Sequence, residues 1–211
     1  MIRIIFYLIV FMTTHMGITA QDSPYDKGMK KGLDLWQQGN PAEATQLFER
    51  IAAAEQDNWI PSYYTAYVNT MFAFNSKDLE KLTLHLEKAQ KYVDQAMKAS
   101  PDNPEVLVLQ ALIHTAWISY DGQTYGMKLA GPTTELHQRA MALAPENPRV
   151  VLANAEWNMG SARFFGKDTT PYCNDIAKAL ELFATFKSET PFHPSWGEKR
   201  AQQLVKECEA K

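Results

Sequence analysis

Four histidines follow the first twenty residues: His85, His114, His137 and His193. A zinc site needs imidazole or thiolate ligands at close spacing, and no two of these histidines stand at such a spacing. The two cysteines, Cys173 and Cys208, lie far apart in sequence and form no metal-binding pair. No glycine-rich phosphate loop, no serine or cysteine nucleophile motif and no calcium-loop spacing occurs. Acidic pairs such as Asp78/Glu80 and Glu207/Glu209 read as solvated helix charges. The residues therefore carry no catalytic motif and call for no cofactor or metal.

Binding chemistry is better represented. Tyr125 lies in a stretch, residues 121–132, that holds three glycines and a proline and reads as a loop. Arg163, Phe164 and Phe165 lie in a second such stretch, 160–171. These four, with Arg149, are the candidate binding residues. Phe164 and Phe165 read equally well as packing beneath their loop. Tyr120, Tyr125 and Trp157 could together line a pocket for a small ligand or a glycan. Tyr63, Tyr64, Tyr67, Met71 and Phe72 read as ordinary core.

The elements that must hold these residues are legible from punctuation. Pro101-Asp-Asn-Pro104-Glu-Val returns as Pro145-Glu-Asn-Pro148-Arg-Val, and Pro191-Phe-His-Pro194 is a looser copy. With Pro61, the second prolines fall at 61, 104, 148 and 194, in steps of 43, 44 and 46 residues. Such a period marks a repeat protein. Proline suits the first helical position, and Asn103 and Asn147 stand where an N-cap belongs. Each mark thus reads as the end of one helix, a turn and the start of the next.

Between the marks, apolar residues recur at helical spacing. Expected helices cover 22–38, 41 onward, 60–75, 78–99, 104–120, a helix through Leu136–Leu143, 148–161, one through Ile176–Phe186, and a last one from Ser195 to about Glu209. No two-residue alternation bounded by hairpin turns suggests strands. Gly32, Ala44 and Phe48 fall at the small, small and large positions of a tetratricopeptide helix pair.

The chain resembles the tetratricopeptide repeat (TPR) superfamily. The segments Asn147-Pro148-Arg149, Phe165-Gly166 and His193-Pro194-Ser-Trp196-Gly197, with a cysteine near the C-terminus, are similar to an exported bacterial TPR family of unassigned function. The resemblance implies an all-α, TPR-like solenoid of about four antiparallel helix pairs plus a C-terminal capping helix. It also implies a non-enzymatic protein–protein interaction module that holds a protein partner on its concave face or inter-helix loops. That family's first loop carries a proline and an arginine, and its second a glycine triplet. Here residues 121–126 lack the former, and Gly166 alone represents the latter.

Residues 1–20 read as a secretory signal: Arg3, an apolar run from Ile4 to Met12, and small residues before a cleavage point after Ala20. An uncleaved anchor is the other reading. The expected mature domain is 21–211, placed in the periplasm or secreted, with no later membrane span. Twenty-one Lys and Arg against 24 Asp and Glu give a net charge of −3 without a basic block, which argues against nucleic acid. In an oxidising compartment, Cys173 at the start of one helix and Cys208 at the end of the next would fall at one level if those helices run antiparallel. A disulfide is the expectation, with two free thiols the alternative.

Overall fold

In the computed structural model, residues 23–210 are described; the signal-like segment 1–20 lies outside them. Nine α-helices follow one another, with no strand among the described residues: α1 (Pro24–Gln37), α2 (Pro41–Ala54), α3 (Trp59–Phe74), α4 (Leu79–Ala99), α5 (Pro104–Tyr120), α6 (Gly122–Leu143), α7 (Pro148–Phe164), α8 (Cys173–Thr185) and α9 (Glu198–Glu209). The first eight form four pairs, α1/α2, α3/α4, α5/α6 and α7/α8, and α9 packs on α8.

The repeated punctuation acts as its chemistry requires. Pro104 and Pro148 open α5 and α7, and the side chains of Asn103 and Asn147 accept from the free backbone N–H groups of Glu105 and of Arg149. Asp78 and Asp121 cap α4 and α6 in the same way. Within the first pair, a Cβ on Gly32 would stand 2.4 Å from the Phe48 ring. Glycine is therefore what lets α1 and α2 approach so closely.

Two expected boundaries differ. Residues 121–132 are not a loop: α6 starts at Gly122 and continues through Pro132. The Asp121 cap starts the helix at once, and Cβ atoms on Gly122, Gly126 and Gly131 would meet nothing within 4 Å. These glycines weaken the helix without ending it. The second expected loop begins later than 160, because α7 runs to Phe164.

The first helices of the second and third pairs are unusually enclosed. On α3, Ile60 through Ala66 are all buried, and on α5 so are Glu105 through Ala111. A solenoid helix with one open face would show an apolar stripe opposite a polar one. The cause of the enclosure lies near the C-terminus.

Candidate functional site

Residues 186–197, between α8 and α9, form a strap that crosses the first helix of every pair. Phe192 sits edge-on to Tyr25 of α1, with ring centroids 5.5 Å apart. Against α3, His193 meets Trp59, Trp196 stacks on Tyr67, and the Trp196 indole N–H donates to the Tyr63 hydroxyl at 2.8 Å. The Tyr64 hydroxyl donates to the His193 carbonyl. Gly197, at φ +109°, would place a Cβ 2.8 Å from Phe183 of α8 and 3.3 Å from Leu152 of α7. Burial raises the pKa of Tyr63 and Tyr64, and pushes that of Tyr67 up to about 12.

On α5, the strap meets a buried charge. Glu105 is 1% exposed and Arg149 2%. The Arg149 side chain donates from Nε to both Glu105 oxygens and from one terminal nitrogen to Oε1 at 2.7 Å. Asn147 Nδ2 donates to the same oxygen at 2.7 Å, and His193 Nε2 lies 3.3 Å from it. The Phe186 ring lies 4.8 Å from the guanidinium carbon. Desolvation would raise the Glu105 pKa, but hydrogen bonds from His193, Arg149 and Asn147, with the Arg149 charge, hold it below the ordinary value. Arg149, a candidate binding residue, is thus occupied within the fold. A cleft of about 830 Å³ opens beside this cluster, walled by Trp59, Leu182 and Phe186 and rimmed by Lys187 and Glu189.

A second, smaller pocket of about 290 Å³ lies between α4, α5 and α6. Trp117 and Tyr125 form its aromatic wall, with centroids 4.8 Å apart at 43°. Leu129, Lys128, Gln90 and His114 complete the lining. Gln90 and Gln110 exchange two amide hydrogen bonds, and Gln110 reaches the His114 Nε2 atom at 3.1 Å. His114 Nδ1 is buried without a partner. Burial lowers the His114 pKa and so favours the neutral ring.

Of the candidates, Tyr125 lines this second pocket. Tyr120 and Trp157 do not: Tyr120 is exposed, and Trp157 donates to Thr134 and stacks on His137. Arg163, Phe164 and Phe165 cap the far end of α7. Both rings are in solvent, 77% and 67% exposed, and do not tuck beneath the chain. Cys173 and Cys208 form a disulfide that joins the start of α8 to the end of α9.

Sequence reasoning passed over Glu105 and His193. One signal was present: Glu105 and Arg149 each follow the second proline of a repeated mark, so opposite charges occupy one repeat position.

The HusA haemophore from Porphyromonas gingivalis superposes with a TM-score of 0.79 at 23% identity, over 90% of this chain and 95% of that one. The fold is TPR-like. Other similar structures are a MamA RS-1 double mutant (TM-score 0.49, 15% identity, 80% of each chain) and a thermophilic TPR protein of Thermus thermophilus (0.43, 14%, 89% of this chain and all of that one). No protein-family profile and no curated protein matches the chain.

Proposed function

We propose that this TPR-like chain is an exported, non-enzymatic binding protein that takes a flat, amphipathic ring compound in the Trp117/Tyr125 pocket. The observation that carries this reading is the strap. It already lies across the first helix of every pair, where a TPR array would hold an extended peptide, so a protein partner there would have to displace twelve residues of the chain itself. The second pocket is open and unfilled by the chain. Its side chains suit a planar acid: an aromatic wall for stacking and the Lys128 ammonium for a carboxylate. The likeness to a haemophore makes porphyrins the first compounds to try. The disulfide supports an oxidising compartment.

The test is absorption and tryptophan-quenching titration with hemin and with metal-free protoporphyrin IX. Saturable binding of both is expected, weakened about tenfold by Trp117→Ala or Tyr125→Ala through lost stacking. Absence of any saturable change would overturn the ring-compound reading.

A further inference from the structure

One end of the array carries apolar side chains in solvent that neither the strap nor the pocket uses. Met127 is 95% exposed, beside Phe164 and Phe165 at 77% and 67%. Helices α6 and α7 run antiparallel, and the Trp157 indole N–H donates to Thr134 Oγ at 2.9 Å, fixing their register. Met127 lies seven residues before Thr134, and Phe164 seven residues after Trp157. Both positions are close to two helical turns, or about 10 Å, beyond the bond in the same direction. The methionine and the phenylalanine pair therefore stand at one level, on neighbouring repeats.

Their exposure is built into the backbone. Gly166, at φ +65°, ends α7 in a left-handed turn. Lys167 N–H donates back to the Ala162 carbonyl at 2.8 Å and Gly166 N–H to that of Arg163 at 3.1 Å. The two rings pack edge-to-face, 5.1 Å apart, on this fixed terminus.

Cations outnumber carboxylates beside the apolar tips. Lys128 follows Met127, and Arg163 and Lys167 bracket the phenylalanines, all three exposed. Two carboxylates lie near them in sequence, and both are engaged locally: Asp121 caps α6, and the exposed Asp168 accepts at Oδ1 from the Thr170 N–H. Aromatic and thioether tips ringed by cations suit the boundary between acyl chains and anionic headgroups.

We infer that this end of the array, through Met127, Phe164 and Phe165 with Lys128, Arg163 and Lys167, docks on a phospholipid surface containing anionic headgroups. The contact is peripheral, since no helix among the described residues is long and apolar enough to cross a membrane. It shares only Lys128 with the Trp117/Tyr125 pocket, and its apolar contact does not depend on a ligand there.

The test is co-floatation of residues 21–211 with phosphatidylcholine vesicles, with and without phosphatidylglycerol. The chain should float with the mixed vesicles, less so with pure phosphatidylcholine, and less at high salt. Phe164→Ser/Phe165→Ser should lower the bound fraction about tenfold or more on either vesicle. Lys128→Gln/Arg163→Gln/Lys167→Gln should remove only the preference for phosphatidylglycerol. Tyr125→Ala, as a pocket control, should float normally. Circular dichroism and unaltered melting confirm that each variant folds. A wild-type chain that stays unbound, or floats no better than the phenylalanine variant, would overturn the inference. So would a sedimentation shift abolished by the phenylalanine variant without floatation, which would make the end a self-contact. Capture by envelope vesicles that protease pretreatment of the vesicles removes would assign the end to a protein and equally overturn it.

Discussion

Glu105 and Arg149 hold equivalent places one repeat apart, and Arg149 Nε stands 2.9 Å from each of the two Glu105 carboxylate oxygens. The pair fixes α5 to α7 and, through His193, fixes the strap to both. Removing one partner leaves a buried charge alone. Arg149→Met is expected to cost about 3–5 kcal/mol in urea unfolding at neutral pH, and Glu105→Gln in the same background should recover part of the loss. The Glu105 pKa is held down in the folded chain, so its contribution is present above the ordinary carboxylate range and is lost as pH falls through the lowered value. A Glu105→Gln/Arg149→Met chain should lack that portion of the acid sensitivity.

His137 gives a separate pH response. It is buried against Trp157, its Nδ1 has no partner, and desolvation brings its pKa from 6.5 down to about 4. The unfolded chain takes up this proton first, so stability is full above pH 6.5 and declines as pH falls from 6.5 to about 4. The loss by the lower limit is about 3 kcal/mol. Unfolding midpoints measured across this range should fall for the native chain and fall less for His137→Gln.

The Cys173–Cys208 bond closes a loop, with a sequence separation of 35, that contains α8, the strap and α9. Its reduction is expected to cost roughly 2–4 kcal/mol. Cleavage within residues 186–197 by a broad protease should speed up in Cys173→Ser/Cys208→Ser. Equal cleavage rates would mean that the strap is held by packing alone.

Gly32→Ala is expected to destabilise the first pair by about 1–3 kcal/mol, because the new methyl overlaps the Phe48 ring. Gly126→Ala, inside α6 where the added carbon meets nothing within 4 Å and no proline follows, should instead stabilise by up to about 1 kcal/mol. Thermal melts of the two variants should move in opposite directions.

The helix order was readable because each start carries local chemistry: Asn103-Pro104 and Asn147-Pro148 state their role within two residues. The disulfide was readable because two adjacent antiparallel helices put Cys173 and Cys208 level. Residues 121–132 misled because three glycines and a proline outweighed a single good cap, Asp121, in a local reading. The strap could not be seen at all. His193 and Glu105 are 88 residues apart, and Trp196 and Tyr63 are 133 apart. No local pattern encodes such contacts. Of the candidate residues, Tyr125 lines a pocket and the Arg163–Phe165 turn is exposed, whereas Arg149 looked available only because its partner lay a full repeat away.

The strap also changes what kind of folding unit the array is. An open solenoid melts and assembles piecemeal, because each repeat touches only its neighbours. Here Phe192 touches Tyr25, so a segment that follows all four pairs in sequence completes the first of them. The transition becomes all-or-none in place of repeat by repeat, and slower, since closure waits on contacts of long sequence separation. It also fixes the number of repeats: a strap cut to cross four first helices cannot cross three or five, so the array cannot grow or shrink by one unit as ordinary TPR arrays can.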